Sequence, residues 1–117
     1  MKCKELFVKI EELSENYLDM LETVCNMESP TEDKDAVDAV GRHFAEYAKA
    51  RGWRVDVYPI AVSGDIVTVT MNEDAEGAPV SLSGHIDTVH PHGLFGTPAV
   101  TRDETYMYGP GVVDCKG

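Results

Sequence analysis

Basic side chains are scarce in this sequence: 10 lysines and arginines stand against 21 aspartates and glutamates, a formal charge of −11 over 117 residues. With so little positive charge, and none of it clustered, phosphates cannot be neutralised, so nucleic acid is excluded as a partner. The same deficit excludes adhesion to an anionic membrane surface. Long apolar runs are missing as well, and nothing approaches the roughly 18 residues needed to cross a bilayer. Only Cys3, Cys25 and Cys115 carry thiols. Their odd number and their spacing match neither a disulfide framework nor a zinc finger, and they fit a reducing cytoplasm, which is the expected location. The opening run Met1-Lys2-Cys3-Lys4-Glu5 turns acidic where a signal peptide would become apolar. Repeats, low-complexity tracts and linkers are also absent, so residues 1–117 read as one unit with one core.

What is present is ordinary for a soluble globular chain: 43% hydrophobic and 26% charged residues, enough of each for a core and a solvated face. From Glu5 to Met27, the apolar residues Leu6, Ile10, Leu13, Tyr17, Met20 or Leu21, and Val24 recur at three- and four-residue steps, which predicts an amphipathic helix. Asn16 is a candidate break within it. Pro30 bars Ser29 from helical geometry. A second helix is expected to start near Thr31 to Asp33, which offer capping oxygens, and to bury Val37, Val40, Phe44 and Tyr47 with Ala48. Arg51-Gly52 is suited to end it.

The period then becomes alternating. Trp53, Val55 and Val57 mark one strand and Ile66 to Met71 a second, with Ser63-Gly64-Asp65 turning between them. Trp53 is expected in the core. Val80 to Ser83 reads as a third strand. Val100-Thr101 and Tyr106-Met107-Tyr108 suit a hairpin around Arg102-Asp103-Glu104.

Two clusters carry chemistry. The first, Ser83-Gly84-His85-Ile86-Asp87-Thr88-Val89, holds a histidine and an aspartate two residues apart on extended backbone, so both side chains point the same way. Asp87 can then accept from one imidazole nitrogen while the other ligates a metal. Taken alone, a histidine with an acidic neighbour is as well explained by a surface pair. The second cluster runs from Tyr108 to Gly117. Gly109 and Gly111 flank Pro110, suggesting a stiff turn that delivers Asp114 to one point. A carboxylate has two oxygens and can bridge two cations; alone, it is as well a solvated acid in a loop.

Together, Gly-His-x-Asp-Thr-Val followed by Tyr-Gly-x-Gly-x-x-Asp-x-Lys-Gly resembles one family of dinuclear zinc hydrolases. It contains glutamate carboxypeptidase, acetylornithine deacetylase, succinyl-diaminopimelate desuccinylase, aminoacylase and related dipeptidases. Pro110 makes the second motif most similar to the glutamate carboxypeptidase branch, since other branches more often carry arginine there. The Ser29-Pro30-Thr31 loop and the helix ending in Arg51-Gly52 resemble the same family's N-terminal region, so the likeness spans almost the whole chain.

The resemblance implies an α/β fold: two N-terminal helices followed by a mixed β-sheet, as an incomplete α/β/α layered catalytic domain. It implies that His85 ligates one zinc, that Asp87 acts in catalysis by orienting His85, and that Asp114 bridges two metal ions, with cobalt or manganese as alternatives to zinc. It also implies a cis bond at Asp114–Cys115. Cys115 stands where relatives vary and is read as a spacer; Lys116 and Gly117 are read as structural. The implied activity is hydrolysis of an amide bond in a peptide or N-acyl amino acid with a free carboxylate. The family's general-base glutamate and remaining ligands match nothing after Asp114, so residues 1–117 are expected to be the N-terminal portion of the catalytic domain, inactive alone. An uncovered apolar face should then drive self-association. Two other readings stay open: a non-catalytic remnant acting as a binding or scaffold module, and a different metal enzyme using His85, His90 and His92.

Overall fold

The computed structural model describes residues 2–117. Helix α1 spans Cys3–Asn26 and helix α2 Lys34–Lys49; strands β1 (Arg54–Tyr58), β2 (Ile66–Thr70), β3 (Thr101–Arg102) and β4 (Met107–Tyr108) follow. Strand β1 pairs antiparallel with β2, Arg54 opposite Thr70 and Tyr58 opposite Ile66. Strand β3 pairs antiparallel with β4. Two helices followed by small antiparallel sheets make this a mixed α/β fold, the class expected, with its strands divided between two separate sheets.

At the start of α1, the Lys2 backbone N–H donates to Glu5 Oε2 at 3.1 Å, satisfying one of the free amides of the first turn. The helix runs unbroken through Asn16. One asparagine in a helix interior costs less than about 0.7 kcal/mol, too little to open a helix whose backbone bonds continue on both sides. Its last turn contains no basic residue. Lys116 supplies one from the far end of the chain, donating to the carbonyls of Val24 at 3.1 Å and Met27 at 3.0 Å. Those carbonyls have no partner within the helix, so the ammonium both caps α1 and fixes the chain beside Asp114. Arg102 ties the β3–β4 hairpin to the same helix through Glu15 at 2.6 Å and Asp19 at 3.3 Å. Both acids are well exposed, so this clasp orients more than it stabilises.

Helix α2 is capped by Asp33, whose side chain accepts from the Ala36 amide at 3.1 Å. Its buried positions are Val37, Val40, Gly41, Ala45 and Ala48. The expected stripe of Val37, Val40 and Ala48 is there, but Phe44 and Tyr47 are only half-buried. The small residues Gly41 and Ala45 take the inner face because the helix lies close on the sheet: a Cβ at Gly41 would sit 3.3 Å from Val67 Cγ2. Tyr47 instead lies beneath the Arg51 guanidinium, 3.3 Å from the ring centroid, and edge-on to Trp53. Trp53 is therefore half-buried at the end of the helix, outside the core. Gly52, at φ +73°, takes the left-handed conformation that ends the helix.

Val80 to Ser83 forms no strand. Val80 is 88% exposed and Leu82 94%, because among the described residues no strand edge lies beside them to complete a ladder. The chain as a whole is flat, 44 × 41 × 21 Å, with a radius of gyration of 15.9 Å. A compact domain near this length has about 13 Å. The core is correspondingly small, and Leu6, Phe7 and Ile10 on α1 are open to solvent. No helix of the described residues is long and apolar enough to cross a membrane.

Candidate metal centre

The segment carrying His85 lies extended beside the loop between the helices. An isolated parallel bridge joins Pro30 to Thr88. The Thr88 amide donates to the Ser29 carbonyl at 2.8 Å, and the Thr31 amide donates to the Thr88 carbonyl at 2.9 Å. The fully buried Ser29 hydroxyl donates to the Ile86 carbonyl at 2.6 Å. Pro30 keeps this loop out of helical geometry, leaving its backbone groups free for the segment it grips. The result is a fixed track for residues 86–88, from which the side chains of His85 and Asp87 project.

His85 Nε2 lies 2.8 Å from Asp114 Oδ1, although the two residues are 29 positions apart. On the other side of the ring, Nδ1 lies 3.1 Å from Asp87 Oδ1 and 3.0 Å from the Asp87 carbonyl oxygen. The Asp114 carboxylate, followed by the Asp87 backbone, holds the His85 imidazole above its ordinary pKa. Asp87 is itself gripped: Thr31 Oγ1 donates to its Oδ2 at 2.6 Å, and this bond is the largest cause holding the carboxyl below its usual range. A chain of contacts therefore runs from Thr31 through Asp87 and His85 to Asp114.

Asp114 arrives on the turn expected from the glycines around Pro110. Gly111 has φ +81°, and a Cβ there would meet Thr88 and Lys116 at 3.1 Å, so the turn closes directly on the His85 track. Pro110 is fully buried. The Asp114–Cys115 peptide bond is cis, as the resemblance implies. Lys116 is half-buried, and desolvation pushes its pKa down from the ordinary lysine value.

Between these segments lies a cavity of about 180 Å³ whose wall includes His85, Asp87, Thr88, His90 and Asp114. Thr88 is 3% exposed and its Oγ1 has no hydrogen-bond partner among the described residues. A buried hydroxyl without a partner is uncommon and marks a site able to bond a further polar group.

Sequence reasoning singled out His85, Asp87 and Asp114, and the fold brings all three together. It passed over Cys115. The Cys115 Sγ stands with His85 and Asp114 in a group whose ligand atoms all lie within 4.8 Å of one another, the one such group of three among the described residues. The signal was available: Cys115 adjoins Asp114, and thiolate is a metal ligand as good as imidazole. No sequence pattern indicated that Thr31 would hold Asp87. His90 and His92 do not join the group. His90 packs edge-on against Phe95, and His92 Nε2 lies 2.8 Å from Asp33 Oδ2 at the head of α2. His43 is half-buried and edge-on to Phe44.

These donors are of the kind that can hold a metal ion: an imidazole nitrogen oriented through its opposite nitrogen and, 2.8 Å from it, a carboxylate oxygen, both residues lying in the cavity wall. No protein-family model matches this chain, and no curated protein matches it.

Proposed function

We propose that this chain carries part of a metal-dependent amide hydrolase site, with His85 and Asp114 as metal ligands and Asp87 as the group that orients His85. The observation supporting it is the convergence of His85 Nε2 and Asp114 Oδ1 to 2.8 Å with the opposite ring nitrogen held by Asp87. A lone histidine–aspartate pair on a surface needs no second carboxylate behind the ring and no threonine behind that carboxylate.

A metal bound there supplies Lewis-acid polarisation of a carbonyl and acidification of a water. With a metal in place of the Nε2–Asp114 hydrogen bond, Asp87 would hold the imidazole proton on Nδ1 and so free the Nε2 lone pair for the ion. Thr31 keeps Asp87 charged and aimed. The substrate class is a peptide or N-acyl amino acid with a free carboxylate, and the Pro110 motif inclines this toward release of a C-terminal glutamate-like residue. His85 and Asp114 make two of the ligands such a site requires.

A second reading, a binding or scaffold module without chemistry, is favoured by one observation: among the described residues, Asp87 and Asp114 are the only acids in the cavity wall, and both already serve the histidine. No carboxylate is left as general base. On either reading the 117-residue chain turns over no N-acyl glutamate by itself, and on the first it binds zinc weakly, since two protein ligands fall short of the three a catalytic site usually provides. The test is a zinc titration of the chain against H85A and D114N. Each substitution is expected to weaken binding by at least about tenfold. Equal zinc affinity in either variant overturns the assignment, and zinc-dependent turnover by the unsubstituted chain overturns the statement that no base is present.

A further inference from the structure

We propose that Cys115 supplies a third protein ligand, a thiolate, to the metal held by His85 and Asp114. The inference rests on the metal reading of those two residues and adds a ligand that the reading lacks.

Two features of the fold point to it, and a third, the neighbouring cavity, bears on the position the ion would leave open. The first is distance. Nitrogen, oxygen and sulfur ligands bind zinc-type ions at about 2.0–2.3 Å, so three of them around one ion stand roughly 3.3–3.8 Å apart. The Cys115 Sγ, the His85 ring nitrogen and the Asp114 oxygen are already all within 4.8 Å of one another. The His85 Nε2 and Asp114 Oδ1 atoms, now in contact at 2.8 Å, must part by roughly half an ångström or more to admit the ion, a move within reach of side-chain rotation.

The second feature is how the sulfur is held. The His85 backbone N–H approaches Sγ at 3.4 Å. Hydrogen bonds from backbone amides are a common outer support for metal-bound sulfur, because they spread the thiolate's charge. Residue 84 is a glycine, and a Cβ there would lie 3.3 Å from Sγ. The sulfur thus rests against the backbone of the same segment that presents the imidazole. Lys116, the next residue, is pinned to the end of α1, so the chain on the far side of Cys115 is fixed too.

The third feature is the cavity itself. Its wall contains His85 and Asp114, together with the buried Thr88 whose hydroxyl has no partner among the described residues. An ion bound by three protein atoms leaves an open position there for an oxygen ligand, which the Thr88 hydroxyl can hydrogen-bond. Coordination releases the thiol proton to solvent and leaves sulfur with the charge that balances the cation.

The chemical consequence is selectivity. An oxygen–nitrogen site accepts manganese and magnesium, whereas a thiolate favours zinc, cobalt and cadmium. Cobalt is the probe of choice, since its sulfur bond gives a charge-transfer band in the near ultraviolet and its geometry gives visible d–d bands. Cys3 is exposed and Cys25 buried, so the titration is run on the full chain carrying C3S. With cobalt, the chain is expected to show both sets of bands. In C3S/C115S the charge-transfer band disappears while weaker d–d bands remain, and affinity falls by at least about tenfold.

Cobalt bound with d–d bands but no charge transfer overturns the thiolate and leaves the His85–Asp114 reading standing. No cobalt binding at all overturns both. A charge-transfer band that survives in C3S/C115S assigns the sulfur to Cys25 and overturns the proposal. A measurement independent of the C115S fold is alkylation of Cys115 in the C3S chain: saturating cadmium is expected to slow it at least about tenfold, and an unchanged rate overturns the proposal.

Discussion

Replacing Ser29 with alanine removes one oxygen from a residue with no solvent exposure. That oxygen donates a 2.6 Å hydrogen bond to the Ile86 carbonyl, across 57 positions of chain. Alanine fills nearly the same volume, so the loss is polar and creates little cavity. A net hydrogen bond is worth about 0.5–1.5 kcal/mol, and stranding a buried acceptor raises the loss to about 1–3 kcal/mol. Ile86 is half-buried, so water reaches its carbonyl in part, and about 1–2 kcal/mol is expected. The neighbouring backbone bonds, Thr88 amide to Ser29 carbonyl at 2.8 Å and Thr31 amide to Thr88 carbonyl at 2.9 Å, do not involve the side chain and persist. The assay is urea unfolding followed by circular dichroism. With a slope near 2 kcal/mol per molar urea, the midpoint falls by about 0.5–1 M at constant slope. Because the lost bond anchors the residue after His85, zinc affinity is expected to fall in the same variant. An unchanged midpoint, or a shift confined to metal affinity, refutes the idea that Ser29 holds the track on which the site is built.

Gly64→Ala drives a Cβ into Val37 Cγ1, on the buried face of α2. Forcing the turn away is expected to cost about 1–3 kcal/mol, read as a lower urea midpoint; a loss below about 0.5 kcal/mol means the turn is looser than it stands. Lys34 contacts Asp38 at 2.8 Å and Asp65 at 2.7 Å, and these bonds hold both carboxyls below the ordinary aspartate value. A depressed carboxyl contributes stability that is full above the unfolded pKa of about 3.9 and is lost as pH falls through the folded value. Unfolding midpoints of K34M are therefore expected to decline less steeply below about pH 4 than those of the unsubstituted chain, and parallel acid limbs would count against the triad. We also propose that the bare apolar surface of α1, including Phe7 at 70% exposure, makes the chain self-associate. Sedimentation should show a concentration-dependent mass that I10E lowers; a clean monomer at high concentration rejects this.

Read along the chain, local rules carried far. Residues at three- and four-residue steps from Leu6 to Val24 became α1, and Asp33 and Gly52 bounded α2 as their side-chain oxygen and left-handed backbone require. Alternation around Val55 and Val67 became the β1–β2 hairpin. His85, Asp87 and Asp114 were singled out by the two short motifs that carry them and by the likeness of those motifs to one family, each motif alone suiting a surface pair or a solvated acid as well. Each of these signals is a short-range one: a period, a cap or a turn depends on neighbours within a few residues.

What tertiary structure alone decided are the partners across long stretches of chain. Nothing in the local pattern of Val80 to Ser83 says whether a strand edge will lie beside it, and here none of the described residues does. Nothing around Phe44 says that Gly41 and Ala45 will face the sheet, since the choice depends on how near the sheet comes. Lys116 on the last carbonyls of α1, Thr31 behind Asp87, and the Cys115 sulfur beside the imidazole are likewise contacts between segments. A sequence states which groups each residue can offer. Which groups receive them is settled when separate segments compete for the same space, and that competition has no period to read.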